Sequence, residues 1–245
     1  MNKITQTLLT LIALFATGCA QQEILPSEDP AELTQTAMIT LDNYVYLNEL
    51  INQCSRLGDD AEYEALTAQQ DWLAKNWANV VAADEYYSQQ FLSSTKDYDD
   101  KKLSLEAIWL KHQARSRAIS ELNLKQRTSG NQQKVCIRRM QAIAENEVEP
   151  GVAAQTQANL QALATKHDRD TRRITEIPTL AGSFDLDLAT GSSYYVLAEN
   201  LKKECPQAAF IVIENQWPNE AYASYCDQAP VSLIQCQWGQ CSEAP

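Results

Sequence analysis

The chain has 245 residues and a formal net charge of −12, with 20 Lys and Arg against 32 Asp and Glu. This acidic balance excludes broad nucleic-acid binding, because neutralising phosphates requires many cationic side chains, and it disfavours attraction to an anionic membrane surface. The sequence contains no glycine-rich phosphate loop, nucleophile elbow or C-x-x-C motif, and its two histidines have no zinc-like spacing. We therefore expect neither a metal ion nor a cofactor.

The first residues have the pattern of an export signal. Lys3 precedes an apolar run from Leu8 to Ala16, which is far shorter than the roughly 20 residues that span a bilayer. A charged start followed by a short apolar run predicts a cleaved signal peptide over residues 1–18. The run ends in Ala16-Thr17-Gly18-Cys19, which resembles the lipobox of bacterial lipoproteins, with alanine where that family usually has leucine.

The lipobox resemblance implies that signal peptidase II cuts before Cys19, whose sulfur carries a diacylglyceryl group and whose new amino group is acylated. Two or more acyl chains anchor a protein stably. Ala20 follows the cysteine, and by the same resemblance the lack of Asp there favours the outer membrane, where we expect the protein to face the periplasm. Residues 19–30 are then a polar tether. The alternative is an ordinary signal peptide whose cysteine is accidental.

A long region without proline, from Pro30 to Pro150, is rich in good helix formers. Apolar residues recur there at helical spacing. The predicted helices are Pro30–Leu57, Asp60–Leu92, Asp100–Arg127, Asn131–Glu147 and Val152–Ile174. At 1.5 Å per residue the first two are about 40–50 Å long, which predicts an elongated up-and-down bundle over residues 31–177.

The sequence pattern changes over residues 178–245, where short apolar segments alternate with turn residues. The predicted elements are a strand at Phe184–Leu188, a helix between Gly191-Ser192-Ser193 and Glu204, and strands at Phe210–Ile213 and Val231–Trp238. This order predicts a small β-α-β-β module of the α+β class. The overall expectation is a mainly α protein: a helical bundle followed by a disulfide-stapled α+β module.

Six cysteines remain once Cys19 is assigned to lipid, and an even number in an exported protein predicts disulfides. Four of them lie in the small module, and domains of that size often need covalent links for stability. The other two lie on apolar helix faces, where two buried free thiols are the alternative. Six cysteines allow fifteen pairings. The expected pairs are Cys54–Cys136, Cys205–Cys226 and Cys236–Cys241.

Charge is segregated along the chain. Residues 101–139 hold ten Lys and Arg but two Asp and Glu, whereas residues 59–92 hold seven Asp and Glu and one Lys. One interpretation is internal complementarity, with the acidic second helix beside the basic third and fourth helices. The other is an exposed basic face that docks an anionic partner. Its candidate residues are Lys111, Arg115, Arg138 and Arg139.

Aromatic residues crowd the C-terminal module, where Trp217, Tyr222, Tyr225 and Trp238 accompany two cysteines. One interpretation is a small core that uses large side chains against its disulfides. The other is a recognition surface, since Trp and Tyr are enriched at binding hot spots. Both tryptophans are expected in loops, where exposure is common.

The function that these features favour is non-catalytic. We expect a lipid-anchored scaffold or adaptor that binds another envelope protein. One alternative is a small-molecule or glycan binder that uses the C-terminal aromatic residues. Another is a cell-wall enzyme with a pair of carboxylates, which would require a pocket that holds a carboxyl group of strongly shifted pKa.

Overall fold

The computed structural model describes residues 29–91, 95–99, 101–145, 154–167 and 188–244. The predicted signal peptide, lipobox and lipidated Cys19 lie outside these ranges, and so does the predicted strand at 184–188 except for Leu188, which is in no strand. Among the described residues, no helix combines the length and the apolar composition that crossing a membrane requires.

Most of the described chain is helical, and a small antiparallel sheet follows near the C-terminus. The helices are α1 (Pro30–Ser55), α2 (Asp59–Phe91), α3 (Leu105–Leu122), α4 (Ser129–Ala144), α5 (Ala154–His167) and α6 (Tyr194–Glu204). The strands are β1 (Lys96–Tyr98), β2 (Lys101–Leu103), β3 (Ala208–Gln216), β4 (Asn219–Cys226), β5 (Ala229–Gln237) and β6 (Gln240–Glu243). The predicted mainly helical class with a small disulfide-bonded sheet is confirmed.

The start of α1 follows its capping residues. The Asp29 side chain accepts a hydrogen bond from the Ala31 backbone N–H at 3.0 Å, and Pro30 occupies the first helical position. Past the end of α1, Gly58 adopts φ +70°, a conformation that costs glycine least. Local sequence signals therefore account for both ends of this helix.

The third helix begins later than predicted, at Leu105 instead of Asp100. Strands β1 and β2 form a short antiparallel hairpin immediately before it. The Ser104 side chain then caps α3 by accepting a hydrogen bond from the Ala107 backbone N–H. The hairpin escapes sequence prediction because its strands have only three residues each and carry no long apolar alternation.

Helices α1 to α5 share one apolar core. Helix α1 packs against α2 and α3, and α2 packs against α4 and α5. Residues of the predicted apolar stripes, such as Leu41, Ile51 and Met140, are almost completely buried there. The bond between Cys54 and Cys136 passes through this core and joins α1 to α4. The stripe predicted for the first helix therefore faces the core, but the stripe predicted for the second helix is wrong at its start, where Tyr63 and Leu66 are exposed and Ala61, Ala65 and Ala68 are buried instead.

Strands β3 to β6 form an antiparallel sheet in the order of the chain. Only parts of β3 and β5 are predicted from the sequence, so the β-α-β-β expectation is wrong for the described residues, which give a helix followed by four strands. Strand β4 escapes prediction because it is central and buried on both faces, so polar and apolar residues do not alternate along it. Strand β6 has four exposed residues, too few for a pattern.

The two faces of this sheet are covered by different parts of the chain. Helix α6 and Leu188 cover one face, where Tyr222 is buried. The β1–β2 hairpin and the start of α3 cover the other face, and Leu103 and Ile108 pack there beneath Tyr225. The Tyr225 hydroxyl also donates a hydrogen bond to the Leu105 carbonyl at 2.8 Å. The core of the sheet is therefore completed by residues from the helical region.

Candidate functional site

Two tryptophans stand together at one end of the four-stranded sheet. Trp217 is 62% exposed and Trp238 is 67% exposed. Their ring centroids lie 5.5 Å apart, with the ring planes nearly perpendicular, which is a favourable geometry for two aromatic rings. The Trp238 backbone N–H donates a hydrogen bond to the Pro218 carbonyl at 3.0 Å, so the turns that carry the two rings are tied together.

Each of these turns is a two-residue connection between neighbouring strands. Trp217 and Pro218, joined by a cis peptide bond, connect β3 to β4. Trp238 and Gly239 connect β5 to β6 with φ angles of +54° and +77°, and the Cys236–Cys241 disulfide closes this turn.

The backbone of Trp238 is in the left-handed region, which is costly for a large side chain. Burial of the indole ring does not offset that cost, because the ring is mostly exposed. Residues held in rarely populated conformations are concentrated at binding and catalytic sites. Asp227 and Gln228 of the β4–β5 turn also have positive φ angles, however, so the two-residue turn accounts for the backbone of Trp238, and the exposure of its ring is the structural indication of a functional surface.

The two tyrosines of the predicted aromatic surface are not on that surface. Tyr222 and Tyr225 are completely buried on opposite faces of the sheet. The Tyr225 ring lies against Trp109 of α3, with ring centroids 4.6 Å apart. The prediction of an exposed binding role is wrong for these two residues, because β4 is a central strand with both faces covered. The core interpretation holds for them.

A polar cavity of about 760 Å³ lies beside the tryptophan-bearing turns. Its walls come from the β1–β2 hairpin and from the end of the sheet next to those turns. The lining residues include Tyr98, Asp99, Glu214, Asn219, Gln235, Gln237, Gln240 and Ser242. The sequence does not predict this site, because the hairpin and the sheet come together only in the tertiary structure. Its one local signal is the glutamine-rich segment around Trp238.

Glu220 also lines the cavity, but its carboxylate is engaged elsewhere. It is 3% exposed and accepts hydrogen bonds from the backbone N–H groups of Ser192 and Ser193, both at 3.0 Å. The hydroxyls of Ser192 and Tyr222 donate to it at 2.7 and 2.6 Å. The carboxylate thereby holds the residues that begin α6, at the end of the helix where negative charge is favoured.

Burial by itself raises the pKa of Glu220, but the hydrogen bonds from Tyr222, Ser192 and Ser193 outweigh burial and lower that pKa to about 2. A general acid that works near neutral pH needs a raised pKa. The Glu220 carboxylate is therefore a structural anion, and it does not provide the acid that the cell-wall enzyme alternative requires.

Arg115 does not belong to an exposed basic face. Its guanidinium forms an ion pair with Glu49 of α1 at 3.3 Å, and the two side chains are 8% and 4% exposed. The prediction of Arg115 as a docking residue is wrong, because the side chain points between α1 and α3 to reach a buried carboxylate.

The other predicted basic residues are dispersed. Arg139 pairs with Glu121 of α3 at 2.5 Å, Lys111 is half-buried, and Arg138 is exposed. The exposed Arg117, also on α3, pairs with Asp42 of α1 at 2.7 Å. Arg115, Arg117 and Arg139 of α3 and α4 thus pair with acidic side chains of α1 and α3 within the molecule.

Among the residues that the structure describes, the donors of Cys205, Cys226 and Asp227 alone are clustered closely enough to hold a metal ion. The two sulfur atoms of this cluster are joined in a disulfide, so they provide no thiolate ligand. The donor set therefore does not suit a metal ion.

Comparisons of the chain with protein-family models, with curated proteins and with solved structures found no significant match. The function therefore has to be argued from the chain's own residues.

Proposed function

We propose that the protein is a non-catalytic scaffold or adaptor of the bacterial envelope that binds another envelope protein. In this proposal a lipid on Cys19 holds it at the periplasmic face of the outer membrane. An elongated up-and-down helical bundle carries the disulfide-stapled sheet away from the tether. The anchor rests on the lipobox resemblance, and the binding role rests on the tryptophan pair.

The observation that carries the binding role is the exposure of two contacting indole rings. Trp is among the residues that most often dominate binding free energy at protein interfaces. The disulfide between Cys236 and Cys241 and the hydrogen bond between the turns restrain the pair. A restrained surface loses little conformational freedom on binding, which favours affinity.

A photoreactive residue in place of Gln216 tests this role in cells. Gln216 is exposed at the end of β3, immediately before Trp217. We expect a discrete crosslinked protein that disappears when Trp217→Ala and Trp238→Ala are added. The matched control has the photoreactive residue in place of Gln207, which is exposed at the opposite end of β3, and should not give that product. Absence of a product, or a product that persists without the indole rings, contradicts the adaptor proposal.

The lipid anchor is tested separately with Cys19→Ser. We expect the unchanged protein in the outer-membrane fraction and the variant either in the soluble periplasm or retained with its signal peptide. An unaltered outer-membrane location of the variant contradicts the proposed lipidation.

The glycan-binding alternative is favoured by one observation, the polar cavity beside the tryptophan pair.

A further inference from the structure

The cavity lies over one face of the sheet, at the end that carries the tryptophan turns. Asn219, Gln237 and Gln240 occupy directly opposed positions on three neighbouring strands. Gln235 and Ser242 occupy the next row on the same face. The β1–β2 hairpin forms the facing wall with Tyr98 and Asp99. Beyond the apolar cluster that fills the rest of this face, the sheet therefore ends in a platform of amide side chains.

The chemistry of this platform matches hydroxyl groups. Each side-chain amide has two N–H donors and a carbonyl acceptor, and a sugar hydroxyl likewise donates one hydrogen bond and accepts others. No Lys or Arg is present among the described residues that line the cavity. An anionic ligand such as a phosphate would therefore lack a cationic partner there.

The acidic side chains do not point to a cation, because two of the three are already engaged. Glu220 accepts four hydrogen bonds from Ser192, Ser193 and Tyr222. Glu214 accepts a hydrogen bond from the Tyr98 hydroxyl. Only Asp99 stands exposed at the hairpin turn, and one exposed carboxylate also accepts hydrogen bonds from sugar hydroxyls.

The size and shape of the cavity suit a small ligand. Its volume of about 760 Å³ falls in the range of small-molecule sites. An extended peptide pairs with the edge of a sheet, whereas this cavity lies over a face. One aromatic ring is also available, because Tyr98 lines the cavity. The apolar C–H face of a pyranose packs on such rings.

We infer that this cavity binds a short neutral saccharide, held by hydrogen bonds to the amide platform and by packing on the Tyr98 ring. This ligand goes beyond the adaptor function, and the two are independent: the adaptor role depends on the tryptophan pair, and the saccharide depends on the amides. An anchored protein with both sites would connect an envelope protein to envelope glycan.

Isothermal titration calorimetry tests the inference with the full chain, purified in a detergent without a sugar headgroup. The probes are chitotriose, which carries acetamide groups, and maltotriose, which carries hydroxyls alone. We expect saturable binding of at least one probe. Gln237→Ala with Gln240→Ala should weaken that binding at least tenfold, and Gln240→Ala alone should weaken it less. Gln207→Ala, which removes an exposed glutamine at the far end of the sheet, should leave it unchanged.

Absence of saturable binding to both probes overturns the inference, and so does binding that survives the double substitution. Circular dichroism melting shows that the variants are folded. The crosslinking experiment separates this inference from the adaptor proposal. If the crosslinked partner is found but neither sugar binds, the saccharide site alone is wrong. If a sugar binds but no partner is crosslinked, the adaptor proposal alone is wrong.

Discussion

The helical region and the four-stranded sheet bury their apolar residues in different ways. The helices enclose one large apolar core, and one disulfide spans a sequence separation of 82 residues within it. The sheet has two small apolar clusters, one on each face, and two disulfides with separations of 21 and 5 residues. A four-stranded sheet alone buries neither face, so segments from elsewhere in the chain cover both.

The two regions therefore depend on different contacts for their stability. The stability of the helical core comes from its own apolar stripes and from one long covalent link. The sheet depends on docking of the β1–β2 hairpin and α3 on one face and of α6 on the other. None of the helices in the described part of the chain covers one end of the sheet, and the tryptophan pair and the amide platform are found there.

The largest loss of stability is expected from removing the disulfide of the helical region. Cys54→Ala with Cys136→Ala removes a link over 82 residues, and the chain-entropy model gives a loss of about 4–5 kcal/mol in the free energy of unfolding. The same model gives about 2 kcal/mol for Cys236→Ala with Cys241→Ala, a separation of 5 residues. Urea denaturation measures both. If Cys236→Ala with Cys241→Ala lowers the free energy of unfolding by as much or more, the Cys54–Cys136 bond is not the main covalent restraint.

The second largest loss of stability is expected when the buried ion pair between Arg115 and Glu49 is broken. Arg115→Met leaves the Glu49 carboxylate buried without this partner, and we expect a loss of about 3–5 kcal/mol in unfolding free energy. Glu49→Leu with Arg115→Met should recover most of it, because no charge is then left buried. Arg117→Met, which breaks the more exposed pair with Asp42, should cost less than about 1 kcal/mol. A double-mutant cycle followed by urea denaturation distinguishes these outcomes.

The attachment of α6 to the sheet should depend on pH. The folded-state pKa of Glu220 is about 2, below its ordinary value of 4.5, so the unfolded chain takes up the proton more readily. The stabilisation is fully present above about pH 5 and decreases as pH falls toward 2, by an amount on the order of 2–3 kcal/mol. Glu220→Gln should lower stability at pH 7 and remove this part of the pH dependence. Glu243→Gln, at an exposed position, should retain the dependence.

A smaller loss is expected from Gly191→Ala. A Cβ atom there would lie 2.4 Å from the Glu220 Cδ and 2.7 Å from the Tyr222 hydroxyl. Relieving this overlap should cost about 1–3 kcal/mol. The matched control is Gly130→Ala in α4, where no other atom lies within 4 Å of the added Cβ, and we expect a gain of up to about 1 kcal/mol. Thermal melting that moves in the same direction for both variants contradicts the close packing around Gly191.

The smallest loss of stability is expected from removing the hydrogen bond that links β4 of the sheet to α3 of the helical region. Tyr225→Phe removes the hydrogen bond to the Leu105 carbonyl and should cost about 1 kcal/mol. Amide hydrogen exchange should increase in β4 and in the first turn of α3. Tyr195→Phe, on a side chain that is 71% exposed, should change neither stability nor exchange. Faster exchange in β4 without any change in α3 would contradict coupling through this bond.

Much of this architecture can be predicted from local sequence patterns. Helical spacing of apolar residues placed α1, α2 and α4 to within a few residues, because that spacing depends only on the geometry of one segment. The positions of the six cysteines on those patterns led to three pairs, and the structure joins the same pairs. Lipidation of Cys19 remains a prediction from sequence.

The tertiary structure alone decided which candidates share a site. Two of four clustered aromatic residues, Tyr222 and Tyr225, are buried because strand β4 is central, and the exposed Trp217 and Trp238 meet because two turns are adjacent. The amide platform exists because three strands align their glutamines and asparagine in one row. By itself the sequence determined most of the helices and parts of strands β3 and β5, because each follows from spacing along one segment. It did not determine the site, since which side chains meet depends on strand order, register and contacts between distant residues.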